Sequence, residues 1–450
     1  MGLNPDFPNS LHKLMSLSNA GKAIMWQTCS KAGNRKGMPL ELPLEMESQF
    51  MQLWSETFRY VAERSPYYQE ILGTQKRLIA LTEMPPLNKT TLSARNLDFL
   101  CVPQEKVAEV VTTSGTTGKP LVWMLTERDL RRLAMNEKLS FECAGLTARD
   151  TVLLAVALDR AFIAGLAYWL GLQEVGCAVI RVGPGLPAMV LEMIDRMQPT
   201  AIVSVPSLLR IVADRACESG FDLRGCSVKK LICIGEPVRG ISFALNATGQ
   251  FLESAWSAKV YSTYGVTELA SSLCECDAGV GGHLHEELLH IEILDDAGQP
   301  VADGTVGEVV ATTFGVEAMP LLRYRTGDCA ALFREPCQCG RTSPRLGPIV
   351  GRKDQKLKVK GTTLFPSALQ AVLDETPGVD TYVIIVRAES DLSDAIEVVM
   401  TGPASLPALR DALQGRTKIM PCLRHASREE IETLQLPPHA RKRQKFVDLR

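Results

Sequence analysis

From Lys106 onward, short apolar runs alternate with amphipathic stretches. Residues 107–111, 151–157, 178–182, 201–205 and 231–234 each read as a short buried strand, and patterns such as 206–216 between them read as helices. That alternation predicts an α/β unit with largely parallel sheets. Upstream, Phe50, Leu53, Trp54, Phe58 and Val61 recur at helical spacing within 46–70. After about residue 255 the character changes. Runs at 289–294, 307–312 and 330–333 lie between turn sequences such as DDAG and DGTVGE, which predicts an antiparallel β subdomain at about 280–345. A second change falls at GRKDQKLKVKG (351–361). A helix (367–375), strands (381–386 and 395–401), a helix (406–413) and a basic tail then make a small α+β unit. The expected division is an N-terminal arm (1–45), a large unit (46–352) and a C-terminal unit (353–450).

Composition narrows the class. The chain has 450 residues, 46% of them hydrophobic and 22% charged, which is globular rather than disordered. Its net charge of −2 gives no overall pull towards nucleic acid or anionic membrane. The longest apolar run, 161–172, has 12 residues, where a membrane span needs roughly 20. The N-terminus, MGLNPDFPNSLHKLM, lacks a charged-then-apolar leader pattern. Cysteines number 13 and are scattered, which fits a reduced, cytoplasmic setting.

Directly after the strand at 107–111 comes TTSGTTGKP (112–120). Small hydroxyl residues and glycines let backbone N–H groups and hydroxyls converge on an anion. The spacing differs from a Walker A loop, because Gly115 and Gly118 are separated by two residues and Pro120 follows Lys119. By itself the segment also reads as a Ser/Thr-rich turn.

Further motifs follow in order: YSTYGVTE (261–268), RYRTGD (323–328), GRKDQKLKVKG (351–361) and a lysine near the C-terminus. With this series the sequence resembles the adenylate-forming superfamily of acyl-CoA synthetases and adenylation domains. SPYYQE (65–70), EAMPLLRYRTGD (317–328), CQCGRTSPR (337–345), VKGTTLFPSALQ (359–370) and the ending KRQKFVDLR resemble its phenylacetate-CoA ligase branch, which includes coenzyme F390 synthetase-like proteins. The resemblance spans roughly residues 50–450 and implies a large α/β domain of mainly parallel sheets flanked by helices, with a β subdomain and a small mobile α+β lid.

The resemblance also implies roles. Enzymes of this kind join a carboxylate to the α-phosphate of ATP and expel pyrophosphate. The substrate is its own nucleophile, so the protein must position two anions and screen their repulsion. Ser114, Gly115, Thr116, Thr117, Gly118 and Lys119 would hold the β- and γ-phosphates. Glu268 would bind Mg²⁺, a hard cation suited to carboxylate oxygens. Tyr264, with Gly265, would stack on adenine, and Thr267 would approach the α-phosphate. Asp328 would accept from the ribose hydroxyls, and Arg352 would reach the same sugar. Asp354 falls at the domain hinge, and Gly361 would line the passage for the pantetheine thiol of CoA. The catalytic lysine aligns with Lys442, where Arg441 replaces the family's preceding glycine. Val205, Pro206, Ser207, Gly235 and Glu236 match segments flanking the acyl pocket.

Cys274-x-Cys276 and Cys337-x-Cys339 bracket the β subdomain, with His283 and His285 near the first pair. Thiolates with an imidazole suit zinc, and four ligands close a structural tetrahedron. Six candidates compete for four places, and unligated thiols are the plain alternative. The resemblance selects Cys276, His283, Cys337 and Cys339.

The resulting expectation is an aryl- or arylacetic-acid:CoA ligase using ATP, Mg²⁺ and CoA, with a structural Zn²⁺. Its partners would be a small, aromatic carboxylic acid and an acyl acceptor, with no nucleic acid and no membrane; a homodimer stays open. The alternative is a biosynthetic adenylating enzyme that hands its acyl group to an amine, a carrier protein or a reductase. A nucleotide-binding protein without activity is a third reading, which the retained Lys119, Glu268, Asp328, Arg352 and Lys442 disfavour.

Overall fold

A computed structural model of the chain describes residues 44–73, 77–113, 121–359, 362–390, 393–436 and 444–450. Residues 1–43 of the expected arm (1–45), the loop residues Ser114, Gly115, Thr116, Thr117, Gly118 and Lys119, together with Gly361 and Lys442, lie outside the described residues.

Helices α1 (Leu44–Arg64) and α2 (Pro66–Leu72) meet at Ser65, whose Oγ accepts from the Tyr68 N–H. The short helix α3 (Lys89–Ala94) is capped by Asn88. Strands β1 (Val107–Thr112) and β2 (Val122–Thr126) lead into helix α4 (Glu127–Cys143). Thr126 and Asp129 form a reciprocal cap there, satisfying otherwise orphaned N–H groups. Asp129 also accepts from the Glu317 and Ala318 N–H groups, tying α4 to the distant β subdomain.

The central sheet follows: β3 (Thr151–Ala155), α5 (Ile163–Val175), β4 (Ala178–Arg181), α6 (Pro187–Met197), β5 (Ala201–Ser204), α7 (Pro206–Ser219), β6 (Lys230–Ile234), α8 (Ala247–Trp256), β7 (Lys259–Val266) and β8 (Ser271–Cys274). Its strand order is β4-β3-β5-β6-β7-β8, parallel except for β8. Both faces are covered. Leu153, Ala155, Ile202, Leu231 and Cys233 pack under α6, α7 and α8. Val152, Leu154, Val203, Ile232 and Ile234 pack against Phe141, Tyr168 and Leu172 of α4 and α5. Double-sided burial is why these strands read as unbroken apolar runs. At Gly165 in α5 a Cβ would lie 1.9 Å from the Ala157 carbonyl oxygen, so only glycine permits this approach of the helix to its own entry loop.

Three expected strands differ. Residues 107–111 are not a buried strand: β1 pairs antiparallel with β2 in a separate two-stranded ribbon, and Val110 is exposed. A ribbon packed on one side leaves alternate residues outside. The run at 178–182 forms the edge strand β4 and is only partly covered. The run at 330–333 is divided between two strands of different sheets, described next.

The β subdomain contains β9 (Gly282–His283), β10 (Leu289–Leu294), β11 (Gly307–Thr313), β12 (Tyr324–Ala330), β13 (Leu332–Phe333), β14 (Arg345–Leu346) and β15 (Gly351–Arg352). Its sheets run β10-β11-β12-β15 and β13-β14-β9. Arg323, just before β12, forms a buried bidentate pair with Glu292, both contacts at 2.9 Å, and donates to the Thr82 and Met84 carbonyls. Leu87 adds backbone bonds to both Arg323 and Arg325. The segment carrying α3 is thereby fixed against β12.

The remaining elements are β16 (Leu357–Val359), β17 (Thr362–Leu364), α9 (Pro366–Glu375), β18 (Thr381–Ser390), β19 (Ser393–Thr401), α10 (Leu406–Thr417), β20 (Cys422–His425), α11 (Arg428–Gln435) and β21 (Phe446–Asp448). Strands order as β20-β19-β18-β21 over their own core of Leu357, Leu369, Val372, Ile384, Val398 and Leu409. Among the described residues, no helix is long and apolar enough to cross a membrane.

Candidate active site

The parallel strands end along one edge, where the chain turns into loops, and such an edge is where open α/β sheets bind ligands. Val205 and Pro206 follow β5, and Gly235 and Glu236 follow β6. The Glu236 carboxylate accepts from the Ser207 N–H at 2.9 Å and hydroxyl at 2.7 Å, so the two loops assigned to the acyl pocket are joined.

Strand β7 carries Tyr264 and Gly265 to that edge, and a single tight turn then presents Thr267 and Glu268. Gly265 is closely backed by β8, since a Cβ there would sit 3.2 Å from Ser272 Cβ. Glu268 is buried, at 3% exposure. Tyr324 donates its hydroxyl to Glu268 Oε1 at 3.2 Å, and Lys89 Nζ lies 3.5 Å from the same oxygen.

On β12, Tyr324 and Asp328 lie on either side of an irregularity in the pairing with β11, where Gly327 has a φ of 78°. Asp328 pairs in register with Arg352 on β15. Its Oδ1 accepts from Arg352 Nε at 3.2 Å, and its Oδ2 accepts from the Tyr264 hydroxyl at 2.9 Å. Burial raises the Asp328 carboxyl above its ordinary value, with the Arg352 guanidinium opposing the rise. Burial and the Asp328 carboxylate push the Tyr264 phenol well up, so it stays a hydrogen-bond donor.

The structure therefore brings Tyr264, Glu268, Asp328 and Arg352 together. Asp354 is exposed on the turn after Arg352, and its carbonyl accepts from Arg450 at 3.0 Å. Sequence reasoning missed Lys89 and Tyr324. Tyr324 lies in the RYRTGD segment that also carries Asp328, whereas nothing in the sequence near Lys89 points to Glu268.

A second cluster lies beside β8 and β9. Ligand atoms of Cys276, His283, Cys337 and Cys339 all fall within 4.8 Å of one another. Cys276 Sγ and Cys337 Sγ are 3.6 Å apart, too far for a disulfide, and Cys339 Sγ is 3.4 Å from His283 Nε2. His283 Nδ1 contacts the Ser343 hydroxyl at 3.1 Å, which leaves Nε2 directed at the thiols. Burial, then Arg341 and Arg345, lowers His283 to about 4, so the ring is neutral and able to ligate. Three thiols and a neutral imidazole fit a tetrahedral metal ion. The other two candidates sit elsewhere: Cys274 accepts from the Thr263 hydroxyl at 3.4 Å, and His285 lies 3.4 Å from Ser140 Oγ.

A family model described as AMP-binding enzyme matches residues 63–317, more than half of the chain. A phenylacetate-coenzyme A ligase of Thermus thermophilus is 33% identical, over 83% of this chain and 85% of the relative. The phenylacetate-coenzyme A ligase of Escherichia coli is 29% identical, over 75% and 78%. A solved structure of a 2-hydroxyisobutyryl-CoA ligase in the postadenylation state has the same fold, with a TM-score of 0.78 at 21% identity, covering 93% of this chain and 95% of that one. The chain belongs to the family of AMP-binding enzymes, the adenylate-forming ligases, and its relatives there include phenylacetate-coenzyme A ligases.

Proposed function

We propose that this chain is an ATP-dependent aryl- or arylacetic-acid:CoA ligase that works through an acyl-adenylate. The observation that carries the reading is the junction of Tyr264, Asp328 and Arg352 beside the buried Glu268, in a chain 33% identical to a phenylacetate-coenzyme A ligase.

In the first half-reaction a carboxylate oxygen of the acid attacks the α-phosphorus of ATP, and the bond to the β-phosphate breaks to release pyrophosphate. In the second, the CoA thiol gives up its proton and attacks the acyl carbonyl, and AMP leaves. Orientation and charge stabilisation dominate both steps. Asp328 and Arg352 hold the ribose, the Tyr264 ring flanks the adenine, and Thr267 approaches the α-phosphate. Ser114, Thr116, Thr117 and Lys119 grip the outer phosphates. Lys442 bridges the carboxylate and the α-phosphate. Glu268 would hold Mg²⁺, which screens phosphate charge when bound. The loops of Val205 to Ser207 and of Gly235 and Glu236 shape the acid's pocket.

In this reading residues 46–352 bind nucleotide and acid, and residues 353–450 form a lid that turns about Asp354 between half-reactions. Cys276, His283, Cys337 and Cys339 hold a structural zinc that ties the β8–β9 region to the turn before Arg341. The free buried thiols suit a cytoplasmic setting.

The test is product analysis with a panel of aromatic acids, with and without CoA. Acyl-CoA, AMP and pyrophosphate formed together support the reading. Pyrophosphate release without thioester, restored as an acyl product by an amine or a carrier protein, would transfer the assignment to the biosynthetic class.

A further inference from the structure

Beside the buried Glu268 stands a cation that the reaction scheme above leaves unused. Lys89 Nζ lies 3.5 Å from Glu268 Oε1, with 38% of the lysine side chain exposed against 3% for the glutamate. The position of this lysine is fixed from both sides. Asn88 accepts from the Thr91 N–H at 2.8 Å, which starts the helix at Lys89. Leu87 is bonded to the Arg323 carbonyl and the Arg325 N–H at 2.9 and 2.8 Å, so the residue two positions before Lys89 is attached to the strand that carries Tyr324 and Asp328.

Glu268 already has a short-range donor, the Tyr324 hydroxyl at 3.2 Å. The ammonium at 3.5 Å is a looser, partly exposed partner, beyond ordinary hydrogen-bond distance. A divalent cation on Glu268 would replace the ammonium as the carboxylate's countercharge and so release Lys89. The freed ammonium would then stand beside Glu268, with a flexible four-carbon stem to follow a polyphosphate.

We propose that Lys89 is a polyphosphate-binding residue: it neutralises Glu268 in the empty site and turns to the β- and γ-phosphate oxygens of ATP, or to released pyrophosphate, once the metal occupies Glu268. The inference rests on the nucleotide-site reading above. Its chemistry is specific to the outer phosphates. AMP lacks them, and it is Asp328, Arg352 and Tyr264 that serve AMP.

Equilibrium binding of ATP, pyrophosphate and AMP in the presence of Mg²⁺, measured by calorimetry on the full chain, separates the roles. Lys89→Met should weaken ATP and pyrophosphate by roughly 10- to 100-fold, the range for hydrogen bonds to charged groups. AMP affinity should stay within about twofold, and Lys89→Arg, which keeps the charge, should recover most of the loss. A thermal melt of each variant reports folding. Unchanged ATP and pyrophosphate binding in folded Lys89→Met overturns the proposal. So does an equal loss for AMP, which would mean that Lys89 only shapes the site. Failure of the unmodified protein to bind AMP would overturn the nucleotide-site reading itself, and the proposal with it.

Discussion

The Tyr264 hydroxyl donates to Asp328 Oδ2 at 2.9 Å, a bond between the end of the central parallel sheet and the β subdomain. Arg352 occupies the other carboxylate oxygen. Asp328 is thus a positioned acceptor rather than a free charge. Asp328→Asn should weaken AMP binding about 10- to 100-fold, because an ionised acceptor is replaced by an amide. The pH dependence should change as well. Burial raises the Asp328 carboxyl, so protonation begins above the ordinary carboxylate range, and AMP affinity of the parent should fall as pH drops through that titration. The Asn variant should show a flat profile there. Titration of AMP across mildly acidic pH checks both statements.

The metal reading makes a stability claim. Purified protein should contain about one zinc per chain, since three thiols and one imidazole complete a single tetrahedron. Cys337→Ser with Cys339→Ser should lose the metal and lower the melting temperature, because ligand binding energy is folding energy at such a site. Metal analysis beside a melting curve is the check. Metal-free protein with the melting temperature of the parent would remove the site.

Glu137 in α4 is buried, and burial pushes it up to about 7, with hydrogen bonds from Ser272 and Asn136 opposing the rise. Between its ordinary value near 4.5 and about 7 the folded chain keeps a proton that the unfolded chain releases. Stability from this group therefore falls as pH rises through that window and is level above it. Glu137→Gln does not titrate. Its stability relative to the parent should improve by on the order of 3 kcal/mol from pH ~4 to pH ~8. Denaturant unfolding at four pH values tests this, and parallel curves for the two proteins would contradict it.

How much of this was legible beforehand follows from where the information resides. Strands β3, β5 and β6 could be read because both of their faces are buried, which leaves an uninterrupted apolar run. The ribbon β1–β2 differs: four of the five residues from Val107 to Val111 are apolar, but Glu109 interrupts them, and the partner strand lies beyond the TTSGTTGKP loop, so only tertiary pairing reveals which face is open. Tyr264, Glu268, Asp328 and Arg352 were found through motifs, and their mutual contacts are what the fold adds. Lys89 could not be found that way. Its approach to Glu268 depends on the buried Arg323–Glu292 pair and on the Leu87 backbone bonds that fix its segment to β12, and none of these leaves a local pattern. The choice of Cys276 over Cys274 was equally invisible to spacing alone. Cys274 is the last residue of β8, held in register opposite Thr263, whose hydroxyl donates to it, whereas Cys276 lies beyond the strand's end.

Lys442 separates the two half-reactions. Lys442→Ala should slow adenylation at least about 100-fold, in line with removal of one preorganised charge at a reacting centre. Thioester formation from a supplied acyl-adenylate should persist. Asp354→Pro should show the converse, keeping adenylation and losing acyl transfer. Single-turnover assays of each half-reaction decide the matter, and an equal loss of both in Lys442→Ala would contradict the assignment.

The most direct measurement for the account as a whole is isotope exchange between pyrophosphate and ATP with phenylacetate present and CoA absent. Reversible formation of an acyl-adenylate predicts exchange that depends on the acid, requires Mg²⁺, and is lost in Glu268→Gln. Absence of exchange with phenylacetate and with every other carboxylic acid tried, from protein that is folded and binds AMP, would contradict it.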